Sequence, residues 1–180
     1  MRTLSVKDLD LESKKALIRV DFNVPFDKTG AISDDTRIVA SLPTIQYVLN
    51  AGGSCILMSH LGRPKGQNRK ENQKYTLAPC AERLSKLLHR NVIMAPDCIG
   101  QQVEEMCASL KPGQVVLLEN VRFHEAEEKP ELDPSFAKQL AKLADVYIND
   151  AFGSAHRAHS STTTVAQYFP EKAASGFLME

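Results

Sequence analysis

Ala16-Leu17-Ile18-Arg19-Val20 runs directly into Asp21-Phe22-Asn23-Val24-Pro25, and the reading of that junction decides the fold. A short apolar run without polar alternation suits a strand covered on both faces, as in a parallel sheet. Polar residues just beyond it suit the carboxyl edge of such a sheet, where open α/β folds hold their ligands. The pattern recurs along the chain. Ser54-Cys55-Ile56-Leu57-Met58 leads into Ser59-His60-Leu61-Gly62-Arg63-Pro64, and Val115-Val116-Leu117-Leu118 into Glu119-Asn120-Val121-Arg122-Phe123-His124. Val146-Tyr147-Ile148 leads into Asn149-Asp150-Ala151-Phe152-Gly153-Ser154-Ala155-His156-Arg157-Ala158-His159, and Val92-Ile93-Met94 is a further apolar run.

Helical patterns separate these runs. Asp34 to Asn50 puts Ile38, Leu42, Ile45 and Leu49 on one face, with acidic residues in its first turn, Pro43 inside it and Gly52-Gly53 after it. Thr76 is placed to cap a helix carrying Leu77, Ala81, Leu84, Leu87 and Leu88, and Ile99 to Leu110 forms a third that stops at Pro112-Gly113. Asp133 caps a fourth, with Pro134 at its first position and Phe136, Leu140 and Leu143 buried. A further helix is expected over Thr163 to Phe169, and the apolar tail from Ala173 to Glu180 reads as a cut just past a short sixth strand or at an interdomain crossing. The order β-α-β-α-β-α-β-α-β predicts an α/β fold, a Rossmann-like three-layer sandwich with a mostly parallel six-stranded sheet flanked by helices.

The 180 residues fit one domain, and 43% apolar content supplies a core. Lysine and arginine total 22 against 22 aspartate and glutamate, so nothing marks a nucleic-acid binder; 6% aromatics with no tryptophan offer no base-stacking platform. Cys55, Cys80, Cys98 and Cys107 form no CxxC pair and read as core or near-surface thiols. The start lacks the apolar stretch of a signal peptide, and no run reaches membrane-spanning length, which points to a cytoplasmic protein with no membrane partner. No Walker A sequence, GxGxxG, HExxH or GxSxG occurs, so this chain is expected to hold no metal and no nucleotide. Ser160-Ser161-Thr162-Thr163-Thr164 reads as a helix-capping stretch rather than a set of nucleophiles.

The exits carry the chemistry. Asp21 and Asn23 could serve ligand hydroxyls or merely cap their own loop. Arg37, in the first turns of its helix, could fork onto a phosphate or carboxylate or simply be solvated. His60, Gly62 and Arg63 follow the second run, Arg122 another, and His156, Arg157 and His159 the last. Arginines and histidines gathered at four separate exits point to one shared site for a small anion.

These same segments resemble phosphoglycerate kinases. Arg19 to Pro25, Ser59 to Pro64, Leu118 to Phe123 and Asn149 to Ser160 are similar to that family's signature segments, in family order, within a resemblance that runs from about Ala16 to Glu180. The resemblance implies residues 1–180 are the N-terminal substrate-binding domain of a two-domain glycolytic kinase, without the C-terminal nucleotide-binding domain. It implies reversible phosphoryl transfer from 1,3-bisphosphoglycerate to ADP, giving 3-phosphoglycerate and ATP, by a monomer. Mg-ADP or Mg-ATP would bind the absent domain, which is also this chain's expected partner. The implied substrate-binding residues are Asp21, Phe22, Asn23, Arg37, His60, Leu61, Gly62, Arg63, Arg122, His156 and Arg157, with Arg37 catalytic at the transferred group. The competing reading is an isolated anion-binding Rossmann-like module without a catalytic role; substrate binding without turnover would favour it. In either case the chain alone is expected to be inactive.

Overall fold

The computed structural model describes residues 3–66, 69, 72–154 and 157–179. Its strands are β1 (Lys15–Arg19), β2 (Ser54–Met58), β3 (Val92–Met94), β4 (Val115–Leu117), β5 (Val146–Asn149) and β6 (Ala173–Ser175). They form one six-stranded sheet in the order β3-β4-β2-β1-β5-β6, and every pairing is parallel. The helices α1 (Thr36–Asn50), α2 (Ala78–Leu88), α3 (Gln101–Ala108) and α4 (Ser135–Ala141) supply the crossovers between successive strands up to β5.

Side-chain alternation divides the core in two. Ile18, Leu57, Leu117 and Ile148 pack with Ile38, Ile45, Cys80 and Leu84 of α1 and α2 on one face. Leu17, Ile56, Val116 and Tyr147 pack with Val103, Cys107, Phe136 and Leu140 of α3 and α4 on the other. The expected three-layer sandwich is therefore the observed one. The chain leaves β1 toward β2, later crosses to β5 on the opposite side, and so reverses direction about β1. Such a reversal opens a crevice at the carboxyl ends of the strands.

Several local expectations are corrected. α1 begins at Thr36, so Asp34 and Asp35 precede its first turn; Asp34 Oδ1 accepts from the Thr36 N–H at 2.8 Å. Its buried face is Ile38, Ser41, Thr44, Ile45 and Val48, with Leu42 and Leu49 only partly covered. The face is turned toward the tail, where Thr44 Oγ1 accepts from the Phe177 N–H at 3.0 Å. Thr76 lies one residue ahead of the capping position of α2, yet its Oγ1 accepts from the Ala78 N–H at 3.3 Å. α3 is shorter than the predicted 99–110. Asp133 does serve the start of α4, accepting from both the N–H and hydroxyl of Ser135.

The expected helix over 163–169 is replaced by a π turn, Ser160–Thr164, followed by a 3-10 turn, Val165–Tyr168. Three successive N–H groups, of Thr162, Thr163 and Thr164, converge on the His159 carbonyl. The Ser160 and Ser161 side chains are buried in bonds to another loop, so this stretch is an internal tie and not a simple cap. All four cysteines are free and buried; burial pushes the Cys80 thiol up to about 12 and that of Cys107 to about 11. No helix among the described residues is long and apolar enough to cross a membrane.

Candidate functional site

The residues after β1 are locked before any ligand arrives. Asp21 Oδ1 accepts from the Asn23 N–H at 3.1 Å and from Arg37 Nη1 at 3.3 Å. Arg37 Nη1 also donates to the Asn23 carbonyl at 2.7 Å, which draws the second residue of α1 over the β1 exit. Asn23 Oδ1 accepts from the Gly62 N–H at 2.9 Å, leaving the amide nitrogen of Asn23 as a donor for a ligand. Asp21 Oδ2 makes no bond among the described residues and can take a hydroxyl.

The β2 exit is fixed by Ser59. Its Oγ accepts from the Phe22 N–H and donates to the His60 carbonyl, both at 2.9 Å. Gly62 has φ +63°, and a Cβ there would stand 2.3 Å from the Tyr75 ring, so both conformation and space demand glycine. Asn120, after β4, donates to the carbonyls of Leu61 and Tyr75 and accepts from the Arg122 N–H. Arg122 Nη1 in turn reaches the Gly62 carbonyl at 3.1 Å.

Asp21, Asn23, Arg37, His60, Gly153 and Arg157 line one cavity of about 160 Å³. Five of the six were expected site residues, drawn from three strand exits and a helix start. Gly153 is the addition; a Cβ on it would lie 3.3 Å from Asp21 Oδ2, so its smallness keeps that oxygen open. Arg63 is exposed and lies outside the cavity lining, and Arg122 is buried behind it with Nε unpartnered among the described residues. Phe22 and Leu61 send their side chains into the core, so only their backbone could meet a ligand. His156 lies outside the described residues. Of two larger hollows, the one of about 740 Å³ shares no residue with this cavity, whereas the one of about 580 Å³ meets it at Asn23 and is also lined by Leu61 and Gly62. The first sets Asp34, Asp35 and Glu82 against Arg83 and Lys86, a balance unsuited to an anion.

His60 is buried, and its Nδ1 lies 2.8 Å from Arg19 Nη2. Burial first, then the charges of Arg19, Arg122, Arg157 and His159, push its pKa down to about 2. The ring is therefore neutral in the folded chain. Unfolding returns it to the ordinary value near 6.5, so the unfolded chain binds a proton that the folded chain refuses. The associated stability is fully present above about pH 6.5 and falls by about 1.4 kcal/mol per unit below it. Asp150 works oppositely: burial raises its carboxyl to about 6, so its contribution falls as pH rises toward that value. A comparison isolates His60. Between pH 7 and 5, wild type is expected to lose about 2 kcal/mol more than His60→Asn in urea unfolding. Equal losses would mean that His60 is not held neutral.

Sequence reasoning missed Arg19, Glu127 and Ser161, which stand behind the site. The signal for Arg19 was its place inside an apolar strand, where a charge must be paired. Among the described residues Asp97, Cys98 and His124 bring three metal-ligating atoms within 4.8 Å of one another. That mixed set does not fit Mg²⁺, which takes oxygen donors, and His124 Nε2 already bonds Asp97 Oδ1 at 2.7 Å.

A family profile described as phosphoglycerate kinase matches residues 6–180. A protein of Moorella thermoacetica named phosphoglycerate kinase is 57% identical over 180 residues, covering 100% of this chain and 44% of its own length. A phosphoglycerate kinase structure from Coxiella burnetii superposes with TM-score 0.84 at 38% identity, covering 99% of this chain and 42% of the other. One from Pyrococcus horikoshii gives TM-score 0.86 at 34% identity, covering 98% and 43%. The chain thus spans less than half the length of these relatives.

Proposed function

The chain belongs to the phosphoglycerate kinase family, and on that premise we propose that it is the N-terminal, 3-phosphoglycerate-binding half of such an enzyme. The intact protein would transfer a phosphoryl group reversibly between 1,3-bisphosphoglycerate and ADP. The family implies a magnesium-bound nucleotide as the other substrate, and we assign it to the half that this chain does not cover. The observation that carries the reading is the convergence of Asp21, Asn23, Arg37, His60 and Arg157 on one small cavity.

Each group has a chemical task in this reading. Asp21 accepts from the glycerate hydroxyl, and Asn23 donates to the same end of the molecule. His60 and Arg157 face the anionic oxygens, with Arg63 and Arg122 adding positive potential at closer range once a ligand is seated. Arg37 faces the carboxyl end, where the acyl phosphate forms and breaks. A carboxylate is ionised at neutral pH, so it attacks the γ-phosphorus without a general base. What remains for the protein is alignment and stabilisation of charge on the transferred group.

The 180-residue chain is expected to bind 3-phosphoglycerate weakly, and about tenfold more weakly when salt rises from about 0.01 to 0.15 M, because exposed charge pairs are screened. Titration calorimetry at both ionic strengths checks this. Arg63→Ala and Arg122→Ala should each weaken binding further, since each removes a charge from the ground-state complex. No binding at millimolar ligand, or binding indifferent to salt and to both substitutions, would refute the assignment.

A further inference from the structure

We propose that Arg19 and Glu127 form a buried positioning pair that fixes the proton of His60 on Nε2, so that the ring presents a neutral N–H donor to the cavity. Arg19 is fully buried at the end of β1. Its Nε donates to Ser161 Oγ at 2.8 Å, its Nη1 to the Val20 carbonyl, and its Nη2 meets His60 Nδ1 at 2.8 Å. A guanidinium has donors and no acceptor. The Nδ1 of His60 must therefore be the bare, accepting nitrogen, and the neutral ring carries its proton on Nε2. The other tautomer would set N–H against N–H at Arg19 and turn a lone pair toward any anion at Nε2. The charged ring would meet Arg19, Arg122, Arg157 and His159 as well.

Glu127 explains why Arg19 can stay there. It is fully buried, with Oε1 accepting from the Ser161 N–H at 2.7 Å and Oε2 accepting from the Ser161 hydroxyl. The Ser161 hydroxyl proton is thereby spent on Glu127, so its oxygen is the acceptor for Arg19. Only one proton order satisfies all three groups: Arg19 to Ser161 to Glu127. Burial pushes the Glu127 carboxyl upward while Arg19 and Ser161 pull it back. The carboxylate is the counter-charge for Arg19, and losing one member alone would strand the other.

The same carboxylate steadies a second site residue. Ser161 belongs to the π turn Ser160–Thr164, and its neighbour Thr162 donates from Oγ1 to the Arg157 carbonyl at 2.8 Å. Thr163 Oγ1 reaches that carbonyl at 3.1 Å. Glu127 thus holds the turn that holds Arg157, while Arg19 orients His60. Partners that orient the groups contacting a ligand are worth about 10–100-fold in affinity or activity at metal sites, and an imidazole aimed at an anion depends on its orienting partner in the same way. The effect on ligand rests on the reading of the cavity as a 3-phosphoglycerate site; the tautomer does not.

Long-range ¹H–¹⁵N NMR of histidine-labelled chain tests the tautomer directly. In wild type the His60 ring is expected to show protonated Nε2 and bare Nδ1, unchanged between about pH 5.5 and 8. A protonated Nδ1, or a titration in that range, would overturn the proposal. The double variant Arg19→Met/Glu127→Gln removes both charges together, which avoids a stranded ion. Its His60 ring should average between two tautomers, and its affinity for 3-phosphoglycerate in calorimetry should fall about tenfold. A variant ring still held as Nε2–H would overturn the positioning role even if affinity fell. Should the double variant not fold, Ser161→Ala, which cuts the bridge alone, must release the tautomer instead. If tautomers behave as expected but wild type binds no 3-phosphoglycerate, the positioning pair stands and the function proposed above fails.

Discussion

Arg37→Ala is expected to lower kcat by about 10²–10³-fold, as removal of a principal electrostatic donor does. The KM for 3-phosphoglycerate should move only a few-fold. The ground-state structure explains this asymmetry. Arg37 is 52% exposed, so an anion resting near it without the nucleotide gains little from a solvated, screened charge. Its two bonds, to Asp21 Oδ1 and the Asn23 carbonyl, both come from Nη1. Nε and Nη2 have no partner among the described residues and can reach the group in transfer. Closure of a second half over this surface would desolvate the guanidinium when charge spreads over the equatorial oxygens. An interaction strengthened only there changes kcat, whereas uniform binding changes KM. The measurement needs a full-length protein, for which this chain can be joined to the part of the Moorella thermoacetica relative that it does not cover. Single-turnover kinetics removes the masking that slow closure or product release would impose. Arg37→Lys should recover part of the rate, keeping charge but losing the fork. A chemical step within about threefold of wild type in Arg37→Ala would leave Arg37 as a solvated helix arginine bonded to its own loop.

Much of the sheet was legible because its signal is local. Five apolar runs became β1 to β5, and the abrupt arrival of Asp21, His60 and Asp150 after three of them marked the carboxyl edge. The cavity was legible for the same reason: apart from Arg37 on α1, its lining comes from those exits. What lies behind it was not. Arg19 reaches Ser161 across 142 positions, and no pattern near either residue announces the other. Glu127 sits in His124-Glu125-Ala126-Glu127-Glu128-Lys129, a solvated-looking run that folds as the 3-10 turn Glu125–Glu127. Too short for periodicity, that turn buries Glu127 and leaves Glu125 and Glu128 outside. The π turn has the same cause. Its serines and threonines carry no helical stripe, and their geometry is set by Glu127, Arg157 and Ala126, all distant from a helix pattern. A tertiary bond also shaped α1, where buried Thr44 accepts from the Phe177 N–H of the tail while Leu42 packs only partly covered against the core.

The 180-residue chain by itself is expected to form no detectable ATP from 1,3-bisphosphoglycerate and ADP, and yet to bind the three-carbon ligand. The cavity explains both halves of that statement. Its anion-facing groups are already assembled, with Asn23, His60 and Asp21 held by bonds that need no ligand. Binding therefore requires little reorganisation. Transfer requires more. Arg37 is half exposed, and Arg63 and Arg157 are exposed, so water has access to the position the phosphoryl group would cross. In water the electrostatic stabilisation these arginines offer is screened, and an acyl phosphate is open to hydrolysis. In the function proposed above the nucleotide is held by the half that this chain does not cover, so here it would arrive unaligned. A luminescence assay with chain, both substrates and magnesium checks this, with Arg37→Ala chain as the contamination control. Equal background in both preparations is the expected result. ATP formed by wild type and abolished by Arg37→Ala would show that this surface aligns and dehydrates the transfer alone, and the two-half mechanism would have to be abandoned.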